Sequence, residues 1–413
     1  MRFGRVVLVR SPWWRRAVVW SAGASLILAA LVPSHVASAA QGAATQKAIE
    51  PALTGTTAHL SAVAVVPRSD RDWAVGWLCS PRADGCDAGQ TYVSEFDGSK
   101  WSRVKAPSPT GSDDTLTGVS ASSVTNAWAV GSYNGSEDEN LLLHWNGRAW
   151  AQVGAPNLNE NSLTAVSTLS AKAAWAVGSY NSTGPNRTLI LAWNGARWSR
   201  VRSPNPSSGD DELFGVVAVS PSNVWAVGSE LDTSTSEEET LVLHWNGKRW
   251  TRDKAPPAAS LGTRLNGVAA TSPRNVWAVG QYHNSSTLAD EPLVLHWNGK
   301  SWTESILRTP EFGLEELEGV ATTSAGNAWA VGIGPCVGGS VSCPSHTLTY
   351  HWHGTTWSHI ASPSVRSGSD QNILNGVAIK GSTAVAVGDY FPAAGGAVRG
   401  LALRWNGRTW ARH

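Results

Sequence analysis

The chain has 413 residues, with 32 Lys and Arg against 31 Asp and Glu and only 15% of residues charged. Near-neutral charge excludes the basic footprint of a nucleic-acid binder. The low charged fraction, with 41 Gly and 23 Trp, argues against long solvated helices and for buried strands and tight turns. Length alone leaves open two or three ordinary domains or one large repeat assembly.

The chain opens as an export signal. Arg2, Arg5, Arg10, Arg15 and Arg16 precede the apolar run "AVVWSAGASLILAALV", and "VASAAQ" follows with Ala37 and Ala39 in the small-residue cleavage pattern. Residues 1–39 are therefore expected to be a signal peptide, with the mature chain starting near Ala40. The run ends at Pro33, short for a membrane span, and a retained anchor is the alternative. Arg15-Arg16 also permits twin-arginine export. Cleavage leaves 27 basic and 31 acidic residues, a charge near −4. An extracellular or cell-envelope monomer is expected, with no membrane span in the mature chain and no nucleic-acid partner.

Residues 40–58 form an N-terminal segment, either an extra edge strand or a tail. From His59 a repeat begins. "WAVG" stands at Trp73, Trp128, Trp175, Trp225, Trp277 and Trp329, with a seventh copy, "VAVG", at Val385. Each copy follows a segment such as "LNGVAATS" and precedes "LVLHWNGxxW". Each unit thus holds four short apolar runs. "SPRN" (Ser272 to Asn275) suits a type I turn between the first two, and Asn298-Gly299 suits a type I′ hairpin between the last two. Seven such units predict an all-β fold, a seven-bladed β-propeller of four-stranded antiparallel blades over residues 59–413. A linear β-solenoid is the competing reading. The chain ends within the fourth strand of unit seven, so closure by strand exchange is not expected.

The cysteines fall in two pairs, Cys79 with Cys86 and Cys336 with Cys343. In an exported chain two local disulfides are expected; zinc is the alternative, although the spacing is wider than zinc ligands use.

At "WNGxxW" the chain resembles Asp-box (sialidase-type) and photosystem-assembly-factor propellers, and its alternation with "VWAVG" resembles tectonin repeats. Trp297 stands where an Asp-box has its aspartate, and the inner strands offer few arginines beyond Arg264, so sialidase chemistry is not implied. Tectonin-type propellers include lectins, which implies glycan binding.

Nineteen of the twenty tryptophans beyond the signal fall on three repeat positions, which marks them as core. Trp77 is the exception. His144, His244, His296 and His351 share one slot, held elsewhere by Glu95, Ala192 and Arg404, so they form no metal ring. Asp113, Asp114, Glu137 to Glu139, Asp210, Asp211, Glu237 to Glu239, Asp290, Glu291 and Glu315 gather on the loops of one face. Lys100, Arg148, Arg197, Lys248, Arg249, Lys300 and Arg408 lie on the other. Tyr133, Tyr180, Tyr282 and Tyr390 are expected to cap the second strand. His59, Thr115, Ser162, Glu212, Arg264, Glu316 and Ile373 are expected to ring the axial mouth.

The expected function is an exported binding or interaction module that recognises a glycan or an extracellular protein through the acidic face. Its candidate ligand-binding residues are Trp77, Tyr390, Phe391, His59, Glu212, Arg264 and Glu316. No catalytic residue, metal or cofactor is expected. The alternative is a carbohydrate-active hydrolase or lyase using Glu212, Glu316 or Glu318 at the mouth.

Overall fold

The computed structural model describes residues 57–413 except 83–84, 112, 136–137, 157, 182–183, 257–260, 288, 306, 308–314, 336–344, 366–370 and 393–397; the side chains of 57, 79–88 and 261 are also outside the description. The expected cysteine pairs fall on these positions, so both lie outside the described side chains.

Among the described residues twenty-eight strands form seven four-stranded antiparallel sheets, each from one repeat unit. Blade five runs Leu261–Ser272, Asn275–Asn284, Ala289–Trp297 and Trp302–Glu304, in that order from the axis outward. The first strand of every blade packs on the first strands of both neighbours, including Gln371–Lys380 on Thr57–Val65, so the ring closes. Among the described residues no strand is exchanged between blades.

The core is a set of inter-blade layers, because "VWAVG" is apolar on both faces of its strand. Trp277 and Val279 pack towards blade six, and Val276 and Ala278 towards blade four. Each repeat tryptophan meets the two hairpin tryptophans of the next blade. Trp277 lies 4.9 Å from Trp352 and 5.1 Å from Trp357, edge-on to the latter at 87°. Edge-to-face packing sets the positive ring edge against the negative face of its neighbour. The slot histidines cover the other side: His296 stacks on Trp277 at 4.1 Å, and its Nε2 donates to Asn275 Oδ1 at 2.8 Å. Burial pushes the pKa of His144, His244 and His296 down; His351 falls to about 4 through burial and its neighbour His353. At neutral pH these are uncharged packing groups.

One expected turn is corrected. The "WNGxxW" hairpin is not type I′, which needs positive φ at both central residues. In blade five only Gly299 has it, at 95°. Asn298 stands before the turn and its Oδ1 accepts the amide N–H of Lys300 and Ser301 at 2.9 and 3.1 Å. The asparagine acts through its side chain, which replaces the backbone bond a type I′ turn would make.

The "WAVG" glycine has a different origin. A Cβ on Gly280 would lie 2.0 Å from the carbonyl oxygen of Arg264, and the equivalent glycines of all other blades meet the same obstacle. Each first strand carries a one-residue irregularity after its buried leucine, as between Leu265 and Gly267. The bulged residue stitches blades together: Thr117, Thr164, Asn266 and Asn375 donate to the carbonyls of Leu163, Leu213, Leu317 and Leu60 at 2.6 to 3.0 Å.

The interface between blades seven and one departs from the rule. Val385 replaces the repeat tryptophan and Phe96 the hairpin one. The Arg404 guanidinium covers Phe96 at 4.9 Å. A cavity of about 30 Å³ remains, lined in part by Leu60, Tyr92, Trp101 and Val387. Polar bonds hold the seam: Asp389 Oδ1 accepts Leu60 N–H at 2.9 Å, and its Oδ2 accepts Asn375 Nδ2 at 3.0 Å.

Candidate functional site

The residue before each first-strand leucine stands where the bulge turns its carbonyl onto the "WAVG" glycine. Of the seven expected mouth residues, His59, Thr115, Ser162, Glu212, Arg264 and Glu316 are half-buried, and Ile373 is buried. The ligand-binding candidates among them divide into two groups on different blades.

The first group is aromatic and lies where blades seven and one meet. His59 and Trp77 are direct cross-strand partners, and their rings stack 3.8 Å apart at 10°. Phe391 meets the edge of His59 at 6.0 Å and 62°. It is 36% exposed, one of two large apolar side chains on the described surface that reach this level. His59 Nδ1 lies 3.6 Å from Asp389 Oδ2, on the seam side of the imidazole.

Tyr390 does not join them. Successive strand residues face opposite ways: Val385 and Val387 pack towards blade one, while Ala384, Ala386 and Tyr390 pack towards blade six. The other tyrosines of this position behave alike. Tyr133 and Tyr282 pack into inter-blade layers and donate their hydroxyls to Glu139 and Glu291, and Tyr180 accepts from Arg200.

The second group is charged and spans blades four to six. Arg264 Nε donates to Asn266 Oδ1 at 2.9 Å, and its guanidinium lies 4.8 Å over the Phe214 ring. Glu212 Oε1 accepts Asn186 Nδ2 at 2.6 Å. Burial raises the Glu212 pKa, Asp210 and Glu238 raise it further, and Arg264 opposes them. Glu318 occupies the bulge position where blades two, three, five and seven carry a donor. Burial first, then the Glu316 charge, pushes it up to about 7, with Arg264 opposing. A raised carboxyl is stabilising when protonated and loses that contribution as pH rises through its folded value. Glu318→Gln is therefore expected to melt with wild type near pH 4.5 and above it at pH 8, by about 2 kcal/mol after discounting for solvent at the mouth. Equal melting temperatures at both pH values would show that Glu318 is an ordinary surface acid.

Part of the expected acidic face is interior. Asp114 and Asp211 are fully buried and Glu315 nearly so. Asp114 accepts from Ser108 Oγ and Thr110 Oγ1, each at 2.6 Å, and Asp211 pairs with Arg187 at 2.8 Å. Asp114 and Asp211 fasten the loops entering blades two and four. Sequence reading missed this position, as it missed the bulged donors; the available signal was a polar residue on either side of the mouth residue and leucine in unit after unit. Glu137 lies outside the described residues. Among the described residues no trio of His, Cys, Asp or Glu is arranged to hold a metal ion.

No family model and no curated protein matches the chain. Solved structures do. YCF48 bound to a D1 peptide is 14% identical, aligning over 83% of this chain and 93% of that one with a TM-score of 0.51. YCF48 from Cyanidioschyzon merolae is 15% identical over 82% and 95%, with a TM-score of 0.50. The polysaccharide lyase PL25-ulvanlyase is 8% identical over 86% and 96%, with a TM-score of 0.53. At such identities the likeness establishes the propeller fold alone. The resemblance to photosystem-assembly-factor propellers holds at that level.

Proposed function

We propose that this chain is an exported binding module that takes a glycan at the mouth, on the aromatic group of blades seven and one. The observation carrying this reading is the His59–Trp77–Phe391 cluster, a stacked pair with an exposed phenyl edge beside it. Sugar rings present apolar faces that pack on aromatic side chains, and their hydroxyls donate to nearby carboxylates and amides. Glu212, Glu316 and Asn186 supply such acceptors elsewhere on the rim. The export signal expected at residues 1–39 puts the module where glycans are met.

A glycan array probed with wild type, Trp77→Ala and Phe391→Ala tests the reading. Saturable binding is expected, with each variant losing roughly thirtyfold in affinity, equivalent to about 2 kcal/mol. Binding that both variants retain would remove the aromatic group as the site. No binding to any glycan would favour a protein partner; YCF48, a propeller of the same fold, was solved with a peptide.

A second reading, a hydrolase or lyase acting on polysaccharide, draws support from Glu318, a raised carboxyl beside Glu316 and Arg264. It requires turnover that Glu316→Gln and Glu318→Gln abolish while Trp77→Ala leaves chemistry intact.

A further inference from the structure

The end of the ring opposite the mouth is strongly basic. The turns between first and second strands and between third and fourth strands carry eleven Lys and Arg against two acids, Asp70 and Asp97. All eleven cations are exposed, and among the described residues only Arg71 forms an ion pair, with Glu95 at 3.2 Å. They are distributed over six of the seven blades, with blade six lacking them.

These cations stand on stiff supports. The Asn Oδ1 bonds that fix the Lys300 turn recur at the Arg148, Arg197, Lys248 and Arg408 turns. Indole N–H groups tie each such turn to the neighbouring one: Trp193 to Ala171 O at 3.0 Å, Trp245 to Pro221 O and Trp297 to Pro273 O at 3.1 Å. Val124, on the equivalent turn of blade two, is 42% exposed, the other large apolar side chain at that level.

We infer that this basic end docks on the surface of an anionic phospholipid bilayer and so points the mouth away from it. Charge complementarity favours a lipid surface over a polyanion strand. A linear polymer is gripped along a track or groove, whereas cations spread around a rim match a plane of negative charge. Half-buried indoles and an exposed valine at the same end suit the headgroup layer.

Flotation of the full chain with vesicles of phosphatidylcholine, with or without about one-third phosphatidylglycerol, tests this. The comparison protein carries Arg148→Gln, Arg197→Gln, Lys248→Gln and Lys300→Gln. All four residues are exposed, so its thermal melt should match wild type. The arginines near the N-terminus are common to both proteins and cancel. Wild type is expected to prefer the anionic vesicles, and the variant to lose more than about 100-fold of that preference, at about fivefold per cation. High salt should erase the difference between the proteins. Equal binding of the two to anionic vesicles overturns the inference. So does loss of binding by the variant to soluble polygalacturonate with none to vesicles, which would assign the face to an anionic polymer. Neither result bears on glycan binding at the mouth.

Discussion

Trp277→Ala is expected to lower the unfolding free energy by about 4 kcal/mol, whereas Trp77→Ala lowers it by less than about 1 kcal/mol. Trp277 is completely buried and touches two indoles of blade six and His296 of its own blade. Truncation would leave a cavity between two rigid sheets that cannot close over it, so the transfer and cavity costs add. It would also remove the ring against which Trp357 stands edge-on. Trp77 is half-buried, with one face against a single imidazole, and solvent can take its place. Urea unfolding followed by circular dichroism separates the two cases. Similar losses for both variants would mean that Trp77 is a structural peg and not free to serve a ligand.

The second large effect is at the seam. Asp389→Ala is expected to cost about 3 kcal/mol, because it orphans the buried N–H of Leu60 and releases Asn375 Nδ2. The other six interfaces have a repeat tryptophan where this one has Val385, so here the carboxylate holds a seam that lacks the indole layer. Asp389→Asn keeps an oxygen for Leu60 N–H and should lose about half as much. Chemical denaturation of both variants reads the difference. A loss below about 0.5 kcal/mol for Asp389→Ala would show that apolar packing around Val387 and Leu60 closes the ring unaided.

The fold was legible because its signals repeat and are local. A glycine at the end of "WAVG" and an Asn-Gly before the last tryptophan mark strand and hairpin in every unit but one or two, and seven copies agree on one element pattern. What escaped was geometry that breaks the two-residue period. A bulge after each leucine gives Thr117 and Asn266 an inter-blade role that no alternation reveals. The same lesson applies to the site. Tyr390 and Phe391 are adjacent in sequence, which suggests one patch, yet strand alternation sends one towards blade six and the other towards His59. In sequence Asp114 and Asp211 look like surface charge because a loop acid is usually solvated; here turn hydroxyls, amides and an arginine satisfy them inside. The meeting of His59 with Phe391, residues at opposite ends of the repeat array, follows only from ring closure.

The most direct test of the account is a crystal of the full chain soaked with the tightest glycan from the array. Sugar density against Trp77 or Phe391, at the junction of blades seven and one, is the predicted result. Density over Glu212, Arg264 and Glu318 instead, with the aromatic group bare, would contradict it and return the mouth to the charged group on blades four to six.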